Sequence, residues 1–219
     1  MDNTTAIHAY KARKHALTGI YNAQSGHPGG SLSIADILAV LYFEEMNVDP
    51  ENPKMADRDR FVLSKGHCAP ALYGILAERG YFPAEKCAEL RKTDSNMQGH
   101  PDMKSIPGVD MSTGSLGQGI SAAAGMALSA KLDNKNFRVY AALGDGEIEE
   151  GQVWEAVMTA PQHKLDNLCA IVDRNLVQLD GTVEEIKDDA PLDVIRWLMV
   201  SDIPEDLMKK LEKVMEELQ

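Results

Sequence analysis

Arg138-Val139-Tyr140-Ala141-Ala142-Leu143-Gly144-Asp145-Gly146-Glu147 is the stretch whose reading decides the fold. Its first six residues form a short apolar, β-branched run that reads as a buried strand. Residues 147–160 then carry helix formers with apolar positions at helical intervals. Gly144 and Gly146 therefore sit in a strand-to-helix turn, where glycine lets backbone approach an anion and where N–H groups near a helix N-terminus favour phosphate. A second strand, Leu168-Cys169-Ala170-Ile171-Val172, ends at Asp173, and Asn175 lies just beyond it, thirty residues after Asp145 (175 − 145 = 30). Open α/β sheets bind ligands outside the carboxyl ends of their strands. Magnesium prefers hard oxygen ligands and combines one or two protein groups with phosphate oxygens and water. Asp145, Asn175 and a main-chain carbonyl satisfy that preference. Gly-Asp-Gly also serves as an ordinary turn, so the metal reading depends on what surrounds it.

Upstream lie Gly26-His27-Pro28-Gly29-Gly30, Ser64-Lys65-Gly66-His67 and Gly99-His100-Pro101, each placing an imidazole beside glycine in a loop. One loop histidine is ordinarily just solvated, but three in three similar loops point to a site. His8, His15 and His163 take the plainer reading, the first two on a basic helix with Lys11, Arg13 and Lys14. Ser112-Thr113-Gly114-Ser115-Leu116-Gly117-Gln118-Gly119 leads into an alanine-rich helix, with close packing of that helix as the alternative reason for its small residues.

The remaining pattern predicts helices over 5–24, from Ser33, near 69–79, near 84–92, over 117–132 and over 147–160. Strands are expected at 61–63, 138–143 and 168–173. Ser33 and Asp36 form the spacing of a capping box, Gly26 to Gly30 reads as a loop, and 94–115 reads as a long polar loop of the kind that carries function. The βαβ series implies an α/β fold with a mostly parallel, doubly wound sheet flanked by helices. Residues 1–219 are expected to make a single domain. Leu207, Leu211, Val214 and Leu218 recur at intervals of four, three and four after Pro204, so 201–219 is expected to close that domain as an amphipathic helix.

A formal net charge of −12 argues against nucleic acid or an anionic membrane as partner. Cys68, Cys87 and Cys169 have no metal or redox spacing, which suits a reducing cytoplasm. The first fourteen residues lack the apolar core of a signal peptide, and no window approaches the ~18 apolar residues of a membrane span.

Taken in order, these motifs resemble transketolase over about residues 5–182, in particular the thiamine-diphosphate-binding N-terminal half that some bacteria and archaea make as a separate chain. The Ser64 to His67 and Ser112 to Gly119 segments favour transketolase over the related deoxyxylulose-phosphate synthases. The resemblance implies the diphosphate-binding domain of that fold, with thiamine diphosphate and Mg²⁺ as cofactors. It implies Asp145, Asn175 and the main-chain oxygen of Val177 as metal ligands. Gly146 is implied as a diphosphate contact, and Gly114, Ser115 and Leu116 as contacts to the thiamine rings. His27, His67 and His100 match histidines near the thiazolium that handle hydroxyls and protons, His67 also touching the cofactor. Glu150 matches a glutamate that reaches toward the partner's catalytic glutamate.

The implied reaction transfers a two-carbon ketol unit between sugar phosphates, in a hetero-oligomer or homodimer with a C-terminal, pyrimidine-binding partner. The alternative is a shortened cofactor-binding or assembly module without turnover. Arg174 and Leu176 stand where the family often has asparagine and glycine or lysine, so crowding of the metal loop is expected, and Glu149 stands where glutamine or serine is common, so it would weaken diphosphate binding by like-charge repulsion if it points inward. After about Asp193 the family pattern fades, and a further βα unit with another histidine is expected to be missing.

Overall fold

The computed structural model describes residues 3–178 and 181–182, which fall into two compact units. One takes the described residues up to Arg58 together with His67–Ser112. The other takes Asp59–Gly66 and the described residues from Thr113 onward.

The first unit is helical. Helix α1 (Asn3–Ala23) buries Thr5, Ala9, Ala12 and Ala16 along one face. Helix α4 (Ala69–Arg79) is buried from Ala69 to Ala77. Small residues let the two backbones approach: a Cβ added at Gly74 would lie 2.7 Å from the carbonyl oxygen of Ala12. Gly80 ends α4 in the left-handed region at φ 101°, its N–H returning to Leu76 and Ala77, as a helix C-terminus requires. Glu78 accepts from His8 at 3.2 Å and His15 at 3.0 Å and pairs with Lys11, so both α1 histidines fasten helix to helix.

Three sequence expectations fail in this unit. Residues 26–30 are not all loop, because helix α2 already runs over Pro28–Ser33, with α3 (Ala35–Val40) and a π turn (Leu41–Glu45) after it. There is no capping box: Ile34 occupies the N-cap of α3 without a side-chain cap, and the carboxylate of Asp36 is buried against Arg13. A two-point guanidinium contact out of water outweighs a local bond to an end N–H. The helix expected over 84–92 shrinks to a 3₁₀ turn, Ala84–Glu89, because Arg91 turns left-handed at φ 57° and gives its N–H to Met97 at 2.7 Å.

The second unit is a parallel sheet in the order β1 (Arg60–Leu63), β2 (Val139–Gly144), β3 (Leu168–Asp173). Helix α5 (Gln118–Leu132) precedes β2, and α6 (Gly151–Gln162) connects β2 to β3. All six residues of the central strand are buried, which is why it reads as an uninterrupted apolar run. α5 packs on the sheet through Ile120, Ala123, Ala127 and Ala130. The α/β class with a parallel sheet flanked by helices agrees with the sequence expectation. Gly144 pairs with Asp173, so the ends of β2 and β3 deliver Asp145 and Asn175 to one edge of the sheet. The expected helix over 147–160 starts later, at Gly151, after a 3₁₀ turn over Gly146–Glu149. The C-terminal helix expected at 201–219 lies outside the described residues.

Candidate functional site

Asp145 caps the turn after β2. It is 4% exposed, and its Oδ1 accepts from the N–H of Gly146 at 3.0 Å while Oδ2 accepts from the N–H of Leu176 at 2.8 Å. One carboxylate thus joins the two strand ends. Asn175 Oδ1 accepts from the N–H of Val177 at 3.0 Å, closing a short turn of the asparagine type. Beyond it the chain folds back, with Val177 bridging Thr182 and Gln178 donating to the carbonyl of Gly181 at 2.8 Å. Carboxylate, carboxamide and carbonyl oxygens, brought together by the bonds of Asp145 to both strand ends, make a hard donor set suited to magnesium. The residues present therefore fit such an ion.

Glu149 accepts from the amide of Gln178 at 2.7 Å. Leu176 is half exposed rather than packed over its neighbours, although it adopts φ 65°, a conformation that favours glycine. A Cβ added at Gly146 would lie 3.0 Å from the Gln178 side chain, so the amide end of that glutamine would have to give way.

Gly114 to Leu116 lies against the same sheet edge. A Cβ on Gly66 would meet the amide nitrogen of Gly114 at 2.6 Å, and Thr113 donates to the carbonyl of Leu63 at 2.7 Å. Gly117 starts α5 at φ 79°, and a Cβ there would be 2.9 Å from Cβ of Glu150, so the predicted interface glutamate rests its stem on this turn. Ser115, Leu116 and Glu150 are exposed.

Two buried charge arrangements in this unit escaped the sequence reading. Lys65, 1% exposed, donates from Nζ to Asp173 Oδ2 at 2.6 Å. Glu147 places Oε1 on the hydroxyl of Ser64 at 2.5 Å and on the N–H of Gly117 at 2.9 Å, and Oε2 on the N–H of Gly144 at 3.0 Å. Burial raises the Glu147 pKa, while bonds from Ser64, Gly117 and Gly144 and the charge of Lys65 hold it back. The available signal was charged residues close to a strand end, where solvent exposure is the usual assumption.

In the helical unit the three loop histidines gather. The rings of His27 and His67 meet edge to face with centroids 5.2 Å apart. Tyr73 Oη lies 3.0 Å from the carbonyl of Gln98 and 3.1 Å from that of His100, fixing the loop from within the buried helix α4. The Arg91 guanidinium lies against Gly99 and donates to Ser25 Oγ at 3.0 Å, tying the loop of His100 to that of His27. Burial, then the charge of Arg91, then His27 push the His100 pKa below the ordinary histidine value. His100 is thereby held as a neutral base at neutral pH. Tyr73 and Arg91 were not anticipated, since a tyrosine in an apolar helix and an arginine in a polar loop carry no sign of what they hold.

The family model described as transketolase, thiamine diphosphate binding domain, matches residues 4–219. Over 181 residues the chain is 50% identical to the 6-deoxy-6-sulfo-D-fructose transketolase subunit SqwG of Clostridium sp. (strain MSTE9), covering 83% of this chain and 66% of that one. It is 45% identical over 183 residues to one of the subunits of the apulose-4-phosphate transketolase of Phocaeicola vulgatus, covering 84% of this chain and 65% of the relative. The chain thus spans just under two thirds of the length of these relatives. Transketolase from Pichia stipitis, solved in complex with sedoheptulose 7-phosphate, superposes with a TM-score of 0.86 at 31% identity, over 98% of this chain and 34% of that one. Among the described residues, no helix is long and apolar enough to cross a membrane.

Proposed function

Because the chain belongs to the transketolase family, within its thiamine-diphosphate-binding domain, we propose that it is the cofactor-binding half of a two-chain transketolase that moves a two-carbon ketol unit from an anionic ketose to an anionic aldose. The observation that carries this reading is the double role of Asp145, whose carboxylate holds both Gly146 and the loop bearing Asn175.

Asp145, Asn175 and the carbonyl of Val177 would hold Mg²⁺, with Gly146 turned to the diphosphate and Gly114, Ser115 and Leu116 to the thiamine rings. When bound, thiamine diphosphate supplies a nucleophilic carbon and an electron sink for breaking a carbon–carbon bond. The protein's own work is to orient, exclude water and move protons. Imidazoles suit exchange of protons with sugar hydroxyls near neutral pH, which is the work assigned to His27, His67 and His100. Glu150 would reach toward the glutamate of a pyrimidine-binding partner chain.

Relatives named as subunits support the need for that partner. One relative is named for a sulfonated fructose and another for apulose 4-phosphate. What their named sugars share is a terminal anion on a small sugar. Sugar phosphates such as xylulose 5-phosphate and ribose 5-phosphate are accordingly the first substrates to test, with a sulfonated ketose beside them.

Calorimetry with thiamine diphosphate, with and without Mg²⁺, tests the cofactor half of the reading, and metal-dependent binding is expected. A ketol-transfer assay tests the other half. Activity should require a pyrimidine-binding chain, and robust turnover by this chain alone would refute the two-chain reading.

A further inference from the structure

Glu147 does more than fill the position after Gly146. Its side chain is 2% exposed, and its two oxygens accept three hydrogen bonds from three separate segments of the sheet unit. Ser64 Oγ belongs to the turn after β1. The N–H of Gly117 closes the turn that contains Gly114, Ser115 and Leu116. The N–H of Gly144 is the last donor of β2 before Asp145. We infer that Glu147 is a positioning residue for cofactor binding, a carboxylate that fixes the turn of Gly114 to Leu116 against the turn of Asp145 and Gly146. This rests on the cofactor reading proposed above.

Thr113 ties the turn to Leu63 of β1, whereas the bonds of Glu147 join it to the end of β2. Gly117 has φ 79° and lies against Glu150, so its conformation is not that of an ordinary helix start, and no side chain caps α5 at that position. A Cβ on Gly119 would strike Ser64 Oγ at 2.5 Å, so the first turn of α5 lies directly on the serine that Glu147 holds. Carboxylate acceptors make hydrogen bonds about twice as strong as neutral ones, and three donors converging on one group fix direction as well as distance. A glutamine in the same place has one acceptor oxygen and one donor nitrogen. Either orientation then sets N–H groups against the N–H of Gly144 or against the donors Ser64 and Gly117, so at least one of the two turns loses its anchor. Glu147 touches neither metal nor substrate on this account; it acts through the backbone it holds.

The test is calorimetric titration of Mg²⁺ and thiamine diphosphate into the full chain and its Glu147→Gln, Ser64→Ala and doubly substituted forms, with thermal melts to establish the folded fraction. Glu147→Gln is expected to weaken cofactor affinity of the folded protein by about 10- to 100-fold, the range seen when groups that orient a ligand's contacts are removed. Ser64→Ala should weaken it by less, and the double variant should lose no more than Glu147→Gln alone, because both changes break one connection. A residue serving stability only would lower the melting temperature and leave the affinity of the folded fraction where it was. Wild-type affinity in folded Glu147→Gln overturns the inference while leaving the cofactor reading intact. If Glu147→Gln does not fold, unchanged affinity in Ser64→Ala overturns it instead. No binding by the wild-type chain overturns the cofactor reading itself, and this inference with it.

Discussion

The carboxylate of Asp145 accepts a hydrogen bond from the main-chain N–H of Leu176, 2.8 Å away and 31 positions along the chain. The loop carrying Asn175 and Val177 is thus set by the residue expected to share a cation with it. Asp145→Asn keeps the size of the side chain but removes its charge and leaves one acceptor atom for two backbone N–H groups, so either Gly146 or the loop at Leu176 loses its bond. Affinity for thiamine diphosphate should fall at least tenfold with Mg²⁺ present and by less without it. Calorimetry with and without Mg²⁺ measures both, and equal affinity in the two proteins would remove the metal assignment.

Lys65 and Asp173 form an ion pair in which both side chains are buried. Removing one partner from such a pair costs about 3–5 kcal/mol, since the other charge stays buried without its counterion. Lys65→Met should therefore lower the urea midpoint sharply. Combining it with Asp173→Asn, which takes away the stranded charge, should recover a large part of that loss. If the double variant were less stable than Lys65→Met alone, the cost would come from packing and not from charge.

Much of this fold was legible because its signals are local. An apolar run ending in Gly144, a second run ending at Asp173 and an alanine-rich stretch between small residues read as two strands and a covering helix, and form them. The grouping of His27, His67 and His100 was legible for a related reason, since three glycine-flanked imidazoles imply a common purpose. What stayed hidden was the partner of each charge. Asp36 has the spacing of a capping residue, but its partner is Arg13, twenty-three residues earlier, on another helix. Glu147 reads as one more acid at a helix start until Ser64 and Gly117 are seen converging on it. Long-range pairing of buried polar groups leaves no period in a single sequence.

Leu176 holds φ 65° with its side chain half exposed. A left-handed conformation costs a residue with a Cβ roughly 1–2 kcal/mol, against which glycine's greater freedom in the unfolded chain sets about 0.5–1 kcal/mol. Leu176→Gly should accordingly leave stability unchanged or raise it by up to about 1.5 kcal/mol, a rise of up to a few degrees in melting temperature. The N–H that Asp145 accepts is kept, so cofactor affinity should hold. A lower melting temperature would mean that the leucine side chain contributes packing that its exposure does not suggest.

His100 joins the acid–base chemistry to the stability of the loop. Burial, the guanidinium of Arg91 and the neighbouring His27 keep its folded pKa below the unfolded one. As pH falls, the unfolded chain therefore takes up this proton before the folded protein does. The stability associated with the neutral ring is complete above the unfolded value and is lost as pH falls through the folded one. His100→Ala should flatten the acid limb of the stability profile measured by urea melts across pH. Arg91→Gln, which removes the charge ranked after burial, should move the ring's titration upward when followed by proton NMR, and an unmoved titration would dismiss Arg91 as a cause. With a pyrimidine-binding partner present, His100→Ala should also slow ketol transfer while sparing cofactor affinity, because the ring is proposed to serve the sugar's protons and not the diphosphate. Wild-type turnover in that variant would place the proton work on His27 or His67 instead.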